Sequence, residues 1–189
     1  MKNGHPNASN RLARDCMVTA LMQLLENRPL STITVSELTA KAGVSRMTFY
    51  RNYSSKEDIF ARHMQDILEE YRAESVSMHI GERAYSFPHM LHCFQYFNAH
   101  RDFLNCLFQS GLSGLFLSEL EDYVLSRWQT NPDDPAEYYA LRAFSGALFS
   151  VYIAWSKRGA KETPEEMAGM LSRYWTRPDD TQPRIYRQP

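Results

Sequence analysis

Seven consecutive residues, Arg46-Met47-Thr48-Phe49-Tyr50-Arg51-Asn52, set two guanidinium groups, a hydroxyl, a phenol and an amide around one phenylalanine. Carried on a helix, they suit nucleic-acid chemistry: hydroxyls and cations meet phosphates, and an arginine near the helix start can fork onto a guanine edge in the major groove. A solvated helical hairpin is the alternative, since helix pairs joined by a glycine turn are common. A second group, His89, His92 and Cys93, stands at i, i+3 and i+4, with His100 and Cys106 nearby in sequence. That spacing lets all three meet one transition metal, although histidines and cysteines on an aromatic-rich helix also serve as core, and no CxxC pair is present. A third series, Phe94, Phe97, Phe103, Phe108, Phe116, Tyr138 and Phe144, either lines a cavity for an apolar ligand or is plain core. No nucleophile motif, glycine-rich phosphate loop or catalytic carboxylate pair occurs; Ser110-Gly111-Leu112-Ser113-Gly114 follows no strand and reads as a helix junction. No catalytic residue, cofactor or bound metal is therefore assigned, and the expectation is that the chain is not an enzyme.

The elements that must position the first group are legible. Thr34 with Glu37 three residues on makes a capping box for a helix running to about Ala42. Gly43 stops it by taking the left-handed conformation that a helix end asks for. Ser45 caps a second helix too short to stand by propensity, so Leu38, Ala42, Val44 and Phe49 must hold it on a small core. Ahead of this pair, residues 10–27 read as a helix with Met17, Ala20, Leu21, Leu24 and Leu25 on one stripe and Cys16 at its edge. After it, Ser54 or Ser55 caps a long fourth helix through Ile59, Phe60, Met64, Ile67, Leu68 and Tyr71, with Lys56 at its N-terminus, where free N–H groups and an ammonium can seat a phosphate.

Beyond a break at Gly81, helices are expected over 88–99, 100–111, 112–129, from Pro135 to Lys157, and from Thr163 onward. Asp134, Pro135 and Glu137 read as cap, first-turn proline and N3 carboxylate of the eighth. Its small-residue stripe, Ala143, Ala147, Ser150 and Ala154, lets another helix approach closely, and Met167, Met170, Leu171, Tyr174 and Trp175 share one face of the ninth. The fold class is all-α with about nine helices: a three-helix helix-turn-helix head at 10–56, a helical bundle at 57–176, and loosely ordered tails at 1–9 and 177–189.

The whole chain, 189 residues, has a formal net charge of −1. Its distribution matters more: residues 1–62 hold nine Lys or Arg against five Asp or Glu, and residues 63–189 twelve against seventeen. A basic head on an acidic body is the asymmetry of a protein that presents one end to DNA. Three cysteines without a repeated spacing suggest reduced thiols. No apolar run approaches the ~20 residues of a membrane span and no signal-peptide core is seen, so the expected location is the cytoplasm and no membrane partner is expected.

The stretch TITVSELTAKAGVSRMTFYRNYSSKEDIF resembles the DNA-binding signature of the TetR family of bacterial transcriptional regulators, through its threonine-led helix, AGVS turn, T-x-Y recognition helix and S-K opening of the fourth helix. The likeness covers about residues 10–62. By position it implies phosphate contacts at Thr34, Thr48, Tyr50 and Lys56, and base-proximal places for Ser45, Arg46, Met47 and Arg51. Met47 replaces the glycine or alanine of many members, and Tyr53 their phenylalanine, the latter a core variation. The resemblance further implies a homodimer through the last two helices, here Ala143, Ala147, Ser150, Ala154, Met167, Met170, Leu171 and Tyr174. It also implies a repressor that leaves a palindromic operator on double-stranded DNA when a small-molecule effector binds. Among helices 5 to 8, Cys93, Phe94, Phe97, Phe103, Leu107, Phe116, Phe144 and Leu148 are the candidate lining, which favours a hydrophobic or aromatic molecule. Two alternatives stand beside this: a helix-turn-helix adaptor acting through a protein partner, and a metal-responsive repressor using His89, His92 and Cys93.

Overall fold

Polar caps and apolar stripes divide the chain into the expected succession of helices. The computed structural model describes residues 8–80 and 83–175. Among them lie α1 (Ala8–Leu25), a 3-10 turn (Leu30–Thr32), α2 (Val35–Ala42), α3 (Arg46–Asn52), α4 (Lys56–Ser77), α5 (Phe87–Ala99), α6 (Arg101–Gln109), α7 (Ser113–Trp128), α8 (Pro135–Lys157) and α9 (Pro164–Trp175), and no strand. The all-α expectation holds. Of the expected tails, Ala8 and Ser9 open α1, while residues 1–7 and 176–189 lie outside the described residues, as does Gly81.

The chain forms two compact units, one of residues up to Asp66 with Asn105–Leu115, the other of Ile67–Leu104 with residues from Phe116 onward. Helix α4 contributes to both. In the first unit α2 packs on α1 and α3, and Met17, Leu21, Leu38, Phe49, Ile59 and Phe60 are buried.

In the second unit α5 lies along α9. Phe97 meets Phe116 of α7 at 5.1 Å between ring centroids, Phe94 meets Trp155 of α8 at 5.4 Å, and the Tyr152 hydroxyl donates to the Phe97 carbonyl at 2.8 Å. The α9 capping box closes in both directions between Thr163 and Glu166. At α8, Asp134 caps as expected by accepting from the Ala136 N–H at 2.9 Å. Glu137 does not complete a box with it. Its carboxylate instead accepts from the N–H groups of Thr130 and Asn131 and the Thr130 hydroxyl, tying down the preceding loop. Those bonds hold its carboxyl below the usual range.

Candidate nucleic-acid interface

The turn between α2 and α3 is built by glycine chemistry. Gly43 sits at φ 66°, and its N–H donates to Ala40 O at 3.3 Å while the Val44 N–H donates to Thr39 O at 3.0 Å. This paired closure ends α2 in one residue and turns the chain into α3. Ser45 caps α3, accepting from the Thr48 N–H at 3.0 Å, and its Oγ lies 2.9 Å from Thr48 Oγ1. Phe49 is 0% exposed and meets the rings of Tyr50 and Tyr53 at 5.2 and 5.9 Å. With ~100° between successive residues of a helix, burying Phe49 turns Met47 and Arg51 to the opposite side and Tyr50 to the flank, while Arg46 is the first residue of the helix. All four are exposed, Met47 at 79% and Tyr50 at 58%. Among the described residues no carboxylate pairs with Arg46 or Arg51. The face thus offers two guanidiniums, a phenol and one apolar tip.

The other expected contact residues are placed differently. The Ser45 and Thr48 hydroxyls bond each other, and the Asn52 side-chain amide donates to Thr48 O at 2.8 Å. Thr34 closes the predicted capping box: its N–H and hydroxyl reach Glu37 Oε2 at 2.9 and 2.7 Å, and its oxygen accepts from the Glu37 N–H at 3.2 Å. With Arg28 adding a further bond, these contacts bring the Glu37 carboxyl down to about 2. Lys56 turns its ammonium to the carbonyls of Leu30, at 2.6 Å, and Ile33. Two of its three donors therefore brace the loop before α2, a role its sequence position did not reveal. Ser55, not Ser54, caps α4, accepting from the Asp58 N–H at 3.1 Å.

One group of residues escaped the sequence reading. Arg14 of α1 bonds Asp66 of α4, and its charge also acts on the Tyr53 hydroxyl. The hydroxyl that distinguishes Tyr53 from phenylalanine hence stands beside a part-buried ion pair, more than a core variation. A separation of 52 residues between Arg14 and Asp66 leaves no local pattern to find it by.

The metal alternative is corrected. His89 and His92 are 2% and 7% exposed, and all four of their ring nitrogens already have partners. His89 Nδ1 bonds the Ala84 carbonyl, which makes Nε2 the acceptor for the Tyr71 hydroxyl at 3.1 Å. His92 meets Ser75 Oγ at 3.2 Å and Glu74 Oε2 at 3.1 Å. Burial pushes the Cys93 thiol up to about 12, away from the thiolate that a metal needs. Among the described residues no group of three or more His, Cys, Asp or Glu is arranged to hold a metal.

The expected ligand lining is all buried. Cys93, Phe94, Phe97, Phe103, Phe116, Phe144 and Leu148 belong to the second unit, whereas Leu107 belongs to the first. Of the expected dimer residues, Ala143, Ser150, Ala154, Met170 and Tyr174 are exposed and Ala147 and Leu171 half-buried. Met167 is corrected: at 7% exposure it packs inside its own chain. Among the described residues no helix is long and apolar enough to cross a membrane.

Two family descriptions match the chain: "Bacterial regulatory proteins, tetR family" over residues 18–62 and "Transcriptional regulator C-terminal region", a TetR C-terminal description, over residues 85–177. The HTH-type transcriptional regulator AlkX of Mycobacterium tuberculosis is 31% identical over 80 residues, which span 41% of this chain and only 38% of that relative. Two solved structures share the fold. A Listeria innocua protein aligns with TM-score 0.75 at 13% identity, over 90% of this chain and 92% of its own. The fatty acid degradation regulator FadR of Bacillus halodurans aligns with TM-score 0.58 at 17% identity, over 90% and 95%. With the glycine-turned helix pair, its outward basic face and two matched regions that together span most of the chain, this protein belongs to the TetR family, the non-enzymatic DNA-binding transcriptional regulators.

Proposed function

We propose that the chain works in the cytoplasm as a homodimer on a palindromic operator, as a repressor that a small molecule releases. The observation that carries this reading is the α3 face. Its burial of Phe49 leaves Arg46, Met47, Tyr50 and Arg51 free together, with Arg46 at the tip where a guanine edge is met. Arg46 reads a base with Arg51 beside it, Tyr50 holds a phosphate, and Met47, which has no hydrogen-bonding group to offer, meets the thymine methyl. A mobility-shift assay on the DNA upstream of the chain's own gene, run across a salt series, tests it. Wild type should bind selectively and lose affinity steeply with salt, and Arg46→Ala should lose roughly 1–3 kcal/mol of base discrimination. Binding that ignores sequence, or an Arg46→Ala variant with unchanged preference, would leave the adaptor as the better reading.

Dimerisation is supported by what α8 and α9 expose. Tyr139 is 67% exposed, Tyr174 57% and Met170 45%, and on α8 the exposed small residues Ala143, Ser150 and Ala154 leave room for a second helix. A two-fold axis there sets two recognition helices ~34–36 Å apart, one DNA turn, or a multiple of it. Sedimentation should show a dimeric wild type and a monomeric Ser150→Arg variant. A monomeric wild type at micromolar concentration overturns the dimer. The effector acts in the second unit, and α4, which contributes to both units, carries its effect to the operator-binding head.

A further inference from the structure

Around the Tyr123–Trp128 ring pair of α7, with centroids 5.5 Å apart, the second unit gathers donors that lack acceptors. The Tyr123 hydroxyl, the Trp128 indole N–H and Arg72 Nε of α4 are all buried atoms without a hydrogen-bond partner. Tyr123 is only 3% exposed, and its hydroxyl makes no hydrogen bond of ordinary geometry, although the Ser75 and Tyr71 hydroxyls lie close enough to act on its titration. His89 packs its ring 4.6 Å from that of Trp128, but its Nε2 is spent accepting from Tyr71.

Two cations flank the same rings. The Arg72 guanidinium lies 5.8 Å from the Tyr123 ring centre and that of Arg127 5.9 Å from the Trp128 ring centre. Among the described residues neither pairs with a carboxylate, and Glu74 is held by His92. Burial raises Tyr123 and the Arg127 charge offsets only part of that rise, while the same charge adds to the burial that lowers His89. Each buried donor without an acceptor costs stability, and a fold that tolerates several together, under a positive potential, is complementary to an anion.

We propose that this cluster seats an organic carboxylate, accepting from the Tyr123 hydroxyl, the Trp128 N–H and Arg72 Nε–H, with its apolar part against the aromatic side chains of the same unit. A single planar charge with two oxygens matches a few convergent donors and an arginine fork better than a phosphate dianion does, since His89 is neutral and adds no third cation. The inference rests on the reading that the second unit receives the effector, and names the chemical class.

The test is calorimetry and thermal unfolding of the full chain with sodium hexanoate and sodium benzoate, with hexanamide and benzamide as neutral isosteres and sodium sulfate as the inorganic arm. The carboxylates should bind saturably and raise Tm, and the amides and sulfate should not. Tyr123→Phe and Arg72→Gln should each weaken carboxylate binding about ten- to a hundredfold. Tyr123→Phe removes only an unpaired hydroxyl, so its unliganded Tm should be no lower than wild type, and it carries the test alone if Arg72→Gln does not fold. Amides that bind as well as carboxylates, sulfate that competes equally, no stabilisation by either carboxylate, or wild-type affinity in both variants would each overturn the proposal. Operator release is read separately by mobility shift. Carboxylate binding that leaves DNA affinity unchanged upholds the site and removes the effector reading, whereas release by an amide with no carboxylate effect does the reverse.

Discussion

Phe49→Ala is expected to cost the first unit about 3–5 kcal/mol and to abolish operator binding with it. Helix α3 has seven residues, well short of the length at which a helix stands by itself in water. Its one fully buried side chain is Phe49, at 0% exposure, wedged against Tyr53. Truncation leaves a cavity where the recognition helix is held, and nothing local replaces the lost packing. Tyr50→Ala is the control, because Tyr50 is 58% exposed and its loss should leave stability within about 0.5 kcal/mol of wild type while weakening DNA binding. Urea unfolding followed at the aromatic signal, paired with mobility shift, separates the two. A Phe49→Ala protein as stable as wild type would mean that α3 is held by something other than this wedge.

Acidification should destabilise the second unit through His89. Burial, aided by the nearby His92 and Arg127 charges, lowers its pKa to about 4, against the pull of its bond to the Ala84 carbonyl. The unfolded chain, with an ordinary histidine near 6.5, binds a proton between these values that the folded protein does not. The folded pKa of a base being depressed, its contribution is whole above pH ~6.5 and is lost as pH falls towards ~4, amounting to roughly 3 kcal/mol over that window. Denaturant melts of wild type and His89→Gln at several pH values isolate it, since the other titrating groups are common to both and cancel in the difference. The variant should be less stable near neutrality, having lost its fit to Tyr71 and Ala84, yet should lose less stability on acidification. Parallel pH profiles would refute the assignment.

Local signals carried much of the architecture. Capping residues at Thr34, Ser45, Asp134 and Thr163 and the stop at Gly43 act on backbone groups within four residues, so helix starts and ends were readable from spacing, and the structure places them within about two residues of expectation. The outward places of Met47 and Arg51 were also legible, because helical periodicity alone opposes them to Phe49. Partnerships set by packing were not. Lys56 could be placed at a helix N-terminus, but not turned onto the Leu30 and Ile33 carbonyls. His89, His92 and Cys93 did share a helix face, yet whether such groups meet a metal or one another depends on what the neighbouring helices bring. Here α4 brings Tyr71, Glu74 and Ser75.

By itself, then, the sequence determined the helices, the turn, the face presented by α3 and the family to which they point, since each follows from interactions a few residues apart. Only the tertiary structure decided that Arg14 meets Asp66 beside Tyr53, that Met167 is spent inside its own chain, and that Arg72 comes against the Tyr123 ring. These contacts join residues tens of positions apart, and burial, not spacing, selects the partner each one meets.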